Sequence, residues 1–141
     1  MKKIILVSII TVGISGCSTS AVNPSVAKSA PKDRITLYQM KNDNSASVTV
    51  VRDSGMVGSG CFATVFVNGK EAARLDTSEK ATFYVDAGQH IIGSVLDGKG
   101  LCSFGGARQE RDIDVKSGDI KYYRIFTDQN GNMDIKATTL N

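Results

Sequence analysis

The sequence predicts an all-β protein, an antiparallel β-sandwich of the immunoglobulin or prealbumin-like kind with about eight short strands. Short runs of β-branched and aromatic residues recur at close spacing, and several of them alternate apolar with polar side chains. Turn signals rich in glycine and asparagine separate these runs. No apolar stripe with the 3.6-residue period of a helix continues for a convincing length. We therefore expect one β-sandwich domain at residues 34–141.

The predicted strands follow one another through this domain. In chain order they are 35–38, 47–51, 62–67, 70–75, 81–85, 90–96, 112–115, 120–127 and 133–138. The strand 62–67 is apolar on both faces, which is typical of a central strand. It runs into Asn68-Gly69, a pair that favours a two-residue type I′ hairpin turn because both positions accept positive φ angles.

The first sixteen residues have the pattern of a bacterial export signal. Lys2 and Lys3 give a positive start, residues 4–10 are almost entirely aliphatic, and small residues precede Cys17. The apolar stretch is shorter than the ~20 residues that a membrane-spanning helix needs. The segment Ile14-Ser15-Gly16-Cys17 resembles the lipobox of bacterial lipoproteins, which implies cleavage before Cys17 and lipidation of that cysteine. We expect residues 1–16 to be a signal peptide.

The same resemblance predicts where the protein resides. Ser18 follows the cysteine, and in Gram-negative lipoproteins the absence of aspartate at that position implies transfer to the outer membrane, facing the periplasm. Retention at the inner membrane is the alternative. Residues 17–33 are rich in small side chains, contain both prolines and show no strand or helix period. We expect this segment to be a lipidated N-terminus followed by a flexible tether, with the membrane as partner through the lipid.

The three cysteines are then accounted for. Lipid takes Cys17, which leaves Cys61 and Cys102 in an oxidising compartment where two thiols of a small domain usually pair. Counting strand directions from residue 62 puts both at one end of the sheet. Two free thiols are the alternative. We expect no metal site and no cofactor, because His90 is the only histidine and no CxxC spacing exists.

Charge argues against a nucleic-acid partner. The chain has 17 basic and 14 acidic residues, and removal of Lys2 and Lys3 with the signal reduces the net charge from +3 to +1. No basic stripe with interleaved aromatic residues remains.

The stretch from Val51 to Val95 resembles small bacterial lipoproteins with an uncharacterised PEGA-like β domain. The resemblance consists of Val51-Arg52, the glycine/serine loop at 54–60, the strand and turn at 65–70, and a strand, glycine turn and histidine at 83–91. The family more often has proline where Ala87 stands. The resemblance implies an envelope protein with a sandwich domain and supplies no catalytic residues.

Three groups of residues invite a chemical interpretation. His90 could serve as a base in a catalytic triad, but no serine or aspartate is singled out by spacing, and a structural turn histidine is the preferred interpretation. Residues 128–134 carry oxygen ligands at alternate positions, yet the glycine and glutamate of a calcium loop are missing, so an Asn-Gly hairpin explains them better. The glycines at 55, 58 and 60 lack the Gly-Lys-Ser/Thr of a phosphate loop.

These observations predict a function class. We expect a non-enzymatic, lipid-anchored module of the envelope that binds another envelope protein or the cell wall. The alternatives are an inhibitor of a cell-wall hydrolase, similar to periplasmic lysozyme inhibitors, and an accessory lipoprotein of a secretion system. The two glycine-rich loops at 54–61 and 97–107, joined by the expected disulfide, are the preferred recognition surface.

Overall fold

The computed structural model describes residues 18–104 and 106–141 and confirms the all-β prediction. Within these residues, nine strands and two short 3₁₀ turns make up the regular structure. The strands are β1 Lys28–Ser29, β2 Ser45–Arg52, β3 Phe62–Val67, β4 Lys70–Leu75, β5 Glu79–Asp86, β6 Gly88–Asp97, β7 Gln109–Val115, β8 Ile120–Thr127 and β9 Met133–Ala137. The 3₁₀ turns are Lys32–Arg34 and Gly100–Phe104.

The strands form two open sheets that pack as a β-sandwich. The first sheet has the order β1-β5-β2-β8-β9, and the second has the order β4-β3-β6-β7. Most neighbours are antiparallel, as expected, but β1 runs parallel to β5 and β2 runs parallel to β8. The alternation of side chains specifies which face of a strand is buried and not which strand lies beside it, so the sequence pattern could not indicate these two pairings.

The core lies between the two sheets and consists of aliphatic side chains around one phenylalanine. Its largest fully buried members are Phe83, Leu75, Ile92, Ile125 and Ile135, together with six valines. Strand β2 is buried along almost its whole length, on both faces. The hairpin between β3 and β4 closes through Asn68 and Gly69, whose φ angles of 51° and 76° fit the predicted type I′ turn.

The segment predicted as a first strand at 35–38 instead straps one open side of the sandwich. Ile35 pairs with Ala73 of the second sheet in a single bridge, and the carbonyl of Tyr38 accepts a hydrogen bond from the backbone N–H of Tyr84 in the first sheet. Tyr38 has a positive φ of 57°, which ends the extended run. Because its hydrogen bonds alternate between the two sheets, the segment cannot form a strand of either.

The segment expected to be a flexible tether packs against the sandwich over its described part, residues 18–33. Ser20 pairs with Ser54, β1 extends the edge of the first sheet at β5, and Ala27 and Ala30 are buried. The tether prediction is therefore corrected. These pairings involve one or two residues at a time, too few to impose a period on the sequence.

The two ends of the sandwich differ in their loops. One end, called here the disulfide end, carries the loops at 53–61, 76–78, 97–107 and 128–132. The opposite end, called the far end, carries the turns at 68–69, 86–88 and 116–119. None of the helical turns in the described parts of the chain is long and apolar enough to cross a membrane.

Candidate functional site

The chain enters the sandwich at the disulfide end through Thr19. The Thr19 backbone N–H donates to the carbonyl of Thr127 at 3.1 Å. Its hydroxyl accepts from the backbone N–H of Thr127 at 2.9 Å and donates to Asp53 Oδ2 at 3.0 Å. Cys17, the predicted lipidation site, lies outside the described residues. One residue, Ser18, separates it from Thr19 in the sequence.

The buried carboxylate of Asp53 organises this entry point. Its side chain is 1% exposed, and Arg124 of β8 donates to both of its oxygens. Thr19 supplies a further donor. Charge-assisted bonds of this bidentate kind are stronger than neutral ones. The carboxylate therefore connects β8 and the N-terminal segment to the end of β2.

The two predicted cysteines form a disulfide. The Cα atoms of Cys61 and Cys102 are 5.4 Å apart, within the range that a disulfide requires. Phe62, beside Cys61, pairs with Asp97 at the end of β6. This register brings both cysteines to the same end of the second sheet, as strand counting predicts, and joins the loop 54–61 to the loop 97–107.

Arg52 is a buried cation that the sequence prediction did not assign to any site. It is 4% exposed, and its guanidinium donates to the carbonyls of Gly58, Cys61 and Leu75 at 2.6, 2.5 and 2.9 Å. Burial lowers the pKa of Arg52 from its usual value, while the carboxylates of Asp76 and Glu79 oppose this shift. The only signal in the sequence is a charged residue that directly follows an apolar strand.

These contacts explain the first glycine-rich loop. Gly58 has a φ of +71°, and a Cβ atom there would lie 2.9 Å from Leu96 Cδ1. A Cβ atom on Gly55 would lie 3.2 Å from the Cα atom of Thr19. The loop turns carbonyl oxygens inward around Arg52, whereas a phosphate cradle turns N–H groups toward its ligand. The glycines thus permit close packing on the N-terminal segment and around a cation.

Between the two loops lies a groove of about 580 Å³ with an apolar rim. Met56 and Leu101 stand on this rim and are 89% and 90% exposed. Val57 and Leu96 line the groove, and Lys99 is its one charged residue. The disulfide end therefore presents apolar side chains on loops that are held by a covalent bond.

At the far end, His90 joins two turns. Its Nδ1 lies 2.9 Å from Asn68 Nδ2, and its Nε2 lies 2.7 Å from the carbonyl of Asp86. The two partners fit one tautomer, in which Nε2–H donates to the carbonyl and Nδ1 accepts from the amide. Both ring nitrogens are engaged in turn contacts, as expected for a structural histidine.

A second groove, of about 460 Å³, lies beside His90 at the far end. The strap forms one wall through Leu37 and Tyr38, Met40 continues this wall, and β5 contributes Tyr84 and Asp86. Met40 is 87% exposed. Aromatic, apolar and acidic groups therefore lie side by side on an open surface.

The loop 128–132 has the geometry of an asparagine-glycine turn. Asp128 Oδ1 accepts from the backbone N–H groups of Asn130 and Asn132 at 2.8 and 2.9 Å, and Gly131 has a φ of 84°. These bonds, those from Asn132 foremost, lower the pKa of Asp128. The carboxylate is committed to its own backbone, which explains the alternating oxygen ligands without a cation.

Across residues 18–104 and 106–141, no group of three or more His, Cys, Asp or Glu side chains is arranged as a metal site. No family model and no curated protein matches the sequence.

Proposed function

We propose that this protein is a lipid-anchored lipoprotein of the outer membrane whose β-sandwich is a non-enzymatic binding or structural module facing the periplasm. The segment Ile14-Ser15-Gly16-Cys17 carries this proposal, since it resembles a lipobox and ends a short apolar export signal. The disulfide between Cys61 and Cys102 supports it, because structural disulfides are typical of exported domains.

The packing of residues 18–20 indicates which end of the sandwich a lipid on Cys17 would bring to the membrane. Thr19 and Ser20 are hydrogen-bonded to the disulfide end, so a lipid on Cys17 would hold that end next to the bilayer. The loops at 54–61 and 97–107, which the sequence favoured as the recognition surface, would then face the membrane. A periplasmic partner would meet the far end instead.

The groove beside His90 is the part of the far end best suited to such a partner. It combines two tyrosines, the exposed thioether of Met40 and the carboxylate of Asp86. Tyrosine and methionine are enriched at protein interfaces. We therefore assign protein or cell-wall binding to this groove, with His90 and Asn68 as the contacts that shape it.

The anchor is tested by cell fractionation of the full chain and of Cys17→Ala. The wild-type chain is expected in the outer-membrane fraction, and the variant is expected to leave the membrane because it lacks the acylated sulfur. Cys102→Ala is the matched control, since it removes a cysteine without touching the lipobox. Membrane retention of Cys17→Ala would contradict the proposal.

The binding face is tested in the same cells with a photo-cross-linking amino acid. Placed at Met40, it is expected to capture an envelope protein or peptidoglycan, whereas placement at Met56 is expected to capture neither. Capture of a cell-wall hydrolase would select the inhibitor alternative, and capture of a secretion-complex subunit would select the accessory alternative. Capture from residue 56 alone would contradict the assignment of the far end.

A further inference from the structure

The disulfide end exposes two large apolar side chains on neighbouring loops. Met56 and Leu101 are the two most exposed large apolar side chains in the described part of the chain, at 89% and 90%. They stand on the two loops that the disulfide joins, at the rim of one groove. Exposed apolar groups that cluster in this way mark an interaction surface.

The loops that carry these side chains have a composition suited to a lipid interface. Residues 54–61 and 98–104 contain glycine, serine, cysteine and apolar residues, with Lys99 as their single charge, while Asp76, Asp97 and Asp128 lie on neighbouring segments of the same end. The chain as a whole is 22% charged. The ammonium of Lys99 would meet lipid phosphates at such a surface. The carboxylate of Asp97 accepts a hydrogen bond from the hydroxyl of Thr64, and that of Asp128 accepts from its own turn.

The position of the N-terminal segment identifies the occupant of this surface. The hydrogen-bonded bridge between Ser20 and Ser54 begins the first loop, and the backbone of Gly55 packs on Thr19. Met56 is the next residue after this contact. A membrane that holds a lipid on Cys17 would therefore lie close to Met56.

We propose that the disulfide end is a second membrane contact, in which Met56 and Leu101 insert into the boundary between headgroups and acyl chains. This inference depends on the proposed lipid anchor and adds an orientation to it. A single flexible attachment leaves a domain free to rotate relative to the membrane. A lipid anchor together with two apolar contacts holds the domain in one orientation. The disulfide between Cys61 and Cys102 joins the two loops, and the hydrogen bonds from Arg52 hold the first loop in place. The far-end groove then points away from the bilayer.

The absence of tryptophan from the chain makes this testable with single-tryptophan reporters. The variants Met56→Trp and Leu101→Trp place a reporter in the proposed contact. Met40→Trp and Ile120→Trp are matched controls, since both side chains are exposed and apolar but lie at the far end. Each lipidated full-length variant is purified from membranes and reconstituted into vesicles of phosphatidylethanolamine and phosphatidylglycerol containing brominated lipid.

Tryptophans at 56 and 101 are expected to emit at shorter wavelength and to be quenched by brominated lipid at least about twofold more than those at 40 and 120, since interfacial insertion reaches ~5–10 Å. Circular dichroism confirms that each variant retains the fold. Equal quenching at all four sites in vesicle-bound, acylated protein overturns the membrane contact and leaves the anchor intact. Protein that lacks the acyl mass and does not float with vesicles overturns both proposals.

Discussion

At the scale of single residues, two neighbouring charges at the end of β2 have different tasks. Arg52 holds the carbonyls of the first glycine-rich loop, and Asp53 holds Arg124 together with the N-terminal segment. Successive side chains of an extended chain point to opposite sides, so each meets a different layer. The sequence places a charged pair after an apolar strand. The partners of Asp53 lie 34 and 71 positions away in the chain, and those of Arg52 are backbone carbonyls, which have no side-chain signal, so neither set could be predicted.

Replacement of Arg52 tests this role. Arg52→Met keeps an unbranched apolar stem and leaves three carbonyls without their donor, so we expect the free energy of unfolding to fall by at least about 2 kcal/mol. Urea denaturation of the domain measures it. Arg111→Met is the matched control, because its partly exposed pair with Asp134 is worth less than about 1 kcal/mol. Equal losses in the two variants would contradict the account.

At the scale of elements, turn chemistry made the strands predictable. The bounds of β3, β4 and β8 agree with the sequence prediction, because Asn68-Gly69 and the glycine turns mark where strands end. The strap at 35–38 and the N-terminal segment were mispredicted. Each forms only isolated hydrogen bonds to sheets built from distant strands, and no local pattern encodes such contacts.

The candidate site was predictable to a similar degree. The pairing of Cys61 with Cys102 followed from the expected compartment and strand direction, and His90 lies near the start of β6 with its ring bonded to two turns. The far-end groove was not anticipated, because Tyr38 reaches it only through the strap and Met40 only through the residues that follow the strap. A groove formed by segments from different sheets has no signature in a single stretch of sequence.

Removal of the disulfide tests how much this bond stabilises the domain. The double variant Cys61→Ala/Cys102→Ala opens a loop whose ends are 41 positions apart in the sequence. The chain-entropy model predicts that the free energy of unfolding falls by about 4 kcal/mol. Urea denaturation of the oxidised wild-type domain and of the variant measures the difference. Addition of reductant is expected to destabilise the wild type and to leave the variant unchanged. A variant as stable as the oxidised wild type would contradict this role.

At the scale of the whole molecule, the two ends of the sandwich differ in structure. The N-terminal entry, the disulfide and the exposed Met56 and Leu101 share one end, and the groove beside His90 lies at the other. The assignment of binding to the far end and the proposed membrane contact at the disulfide end both depend on this arrangement. A lipid on Cys17 would place the disulfide end at the membrane and present the far end to the periplasm.

The mass of the mature chain extracted from cell membranes tests the central claim most directly. We predict a polypeptide that starts at Cys17, with a diacylglyceryl group on sulfur and an acyl group on the new amino terminus. Proteolysis then places the added mass on the N-terminal peptide and leaves Cys61 linked to Cys102. A chain that retains residues 1–16, or one whose Cys17 is unmodified, would contradict the account.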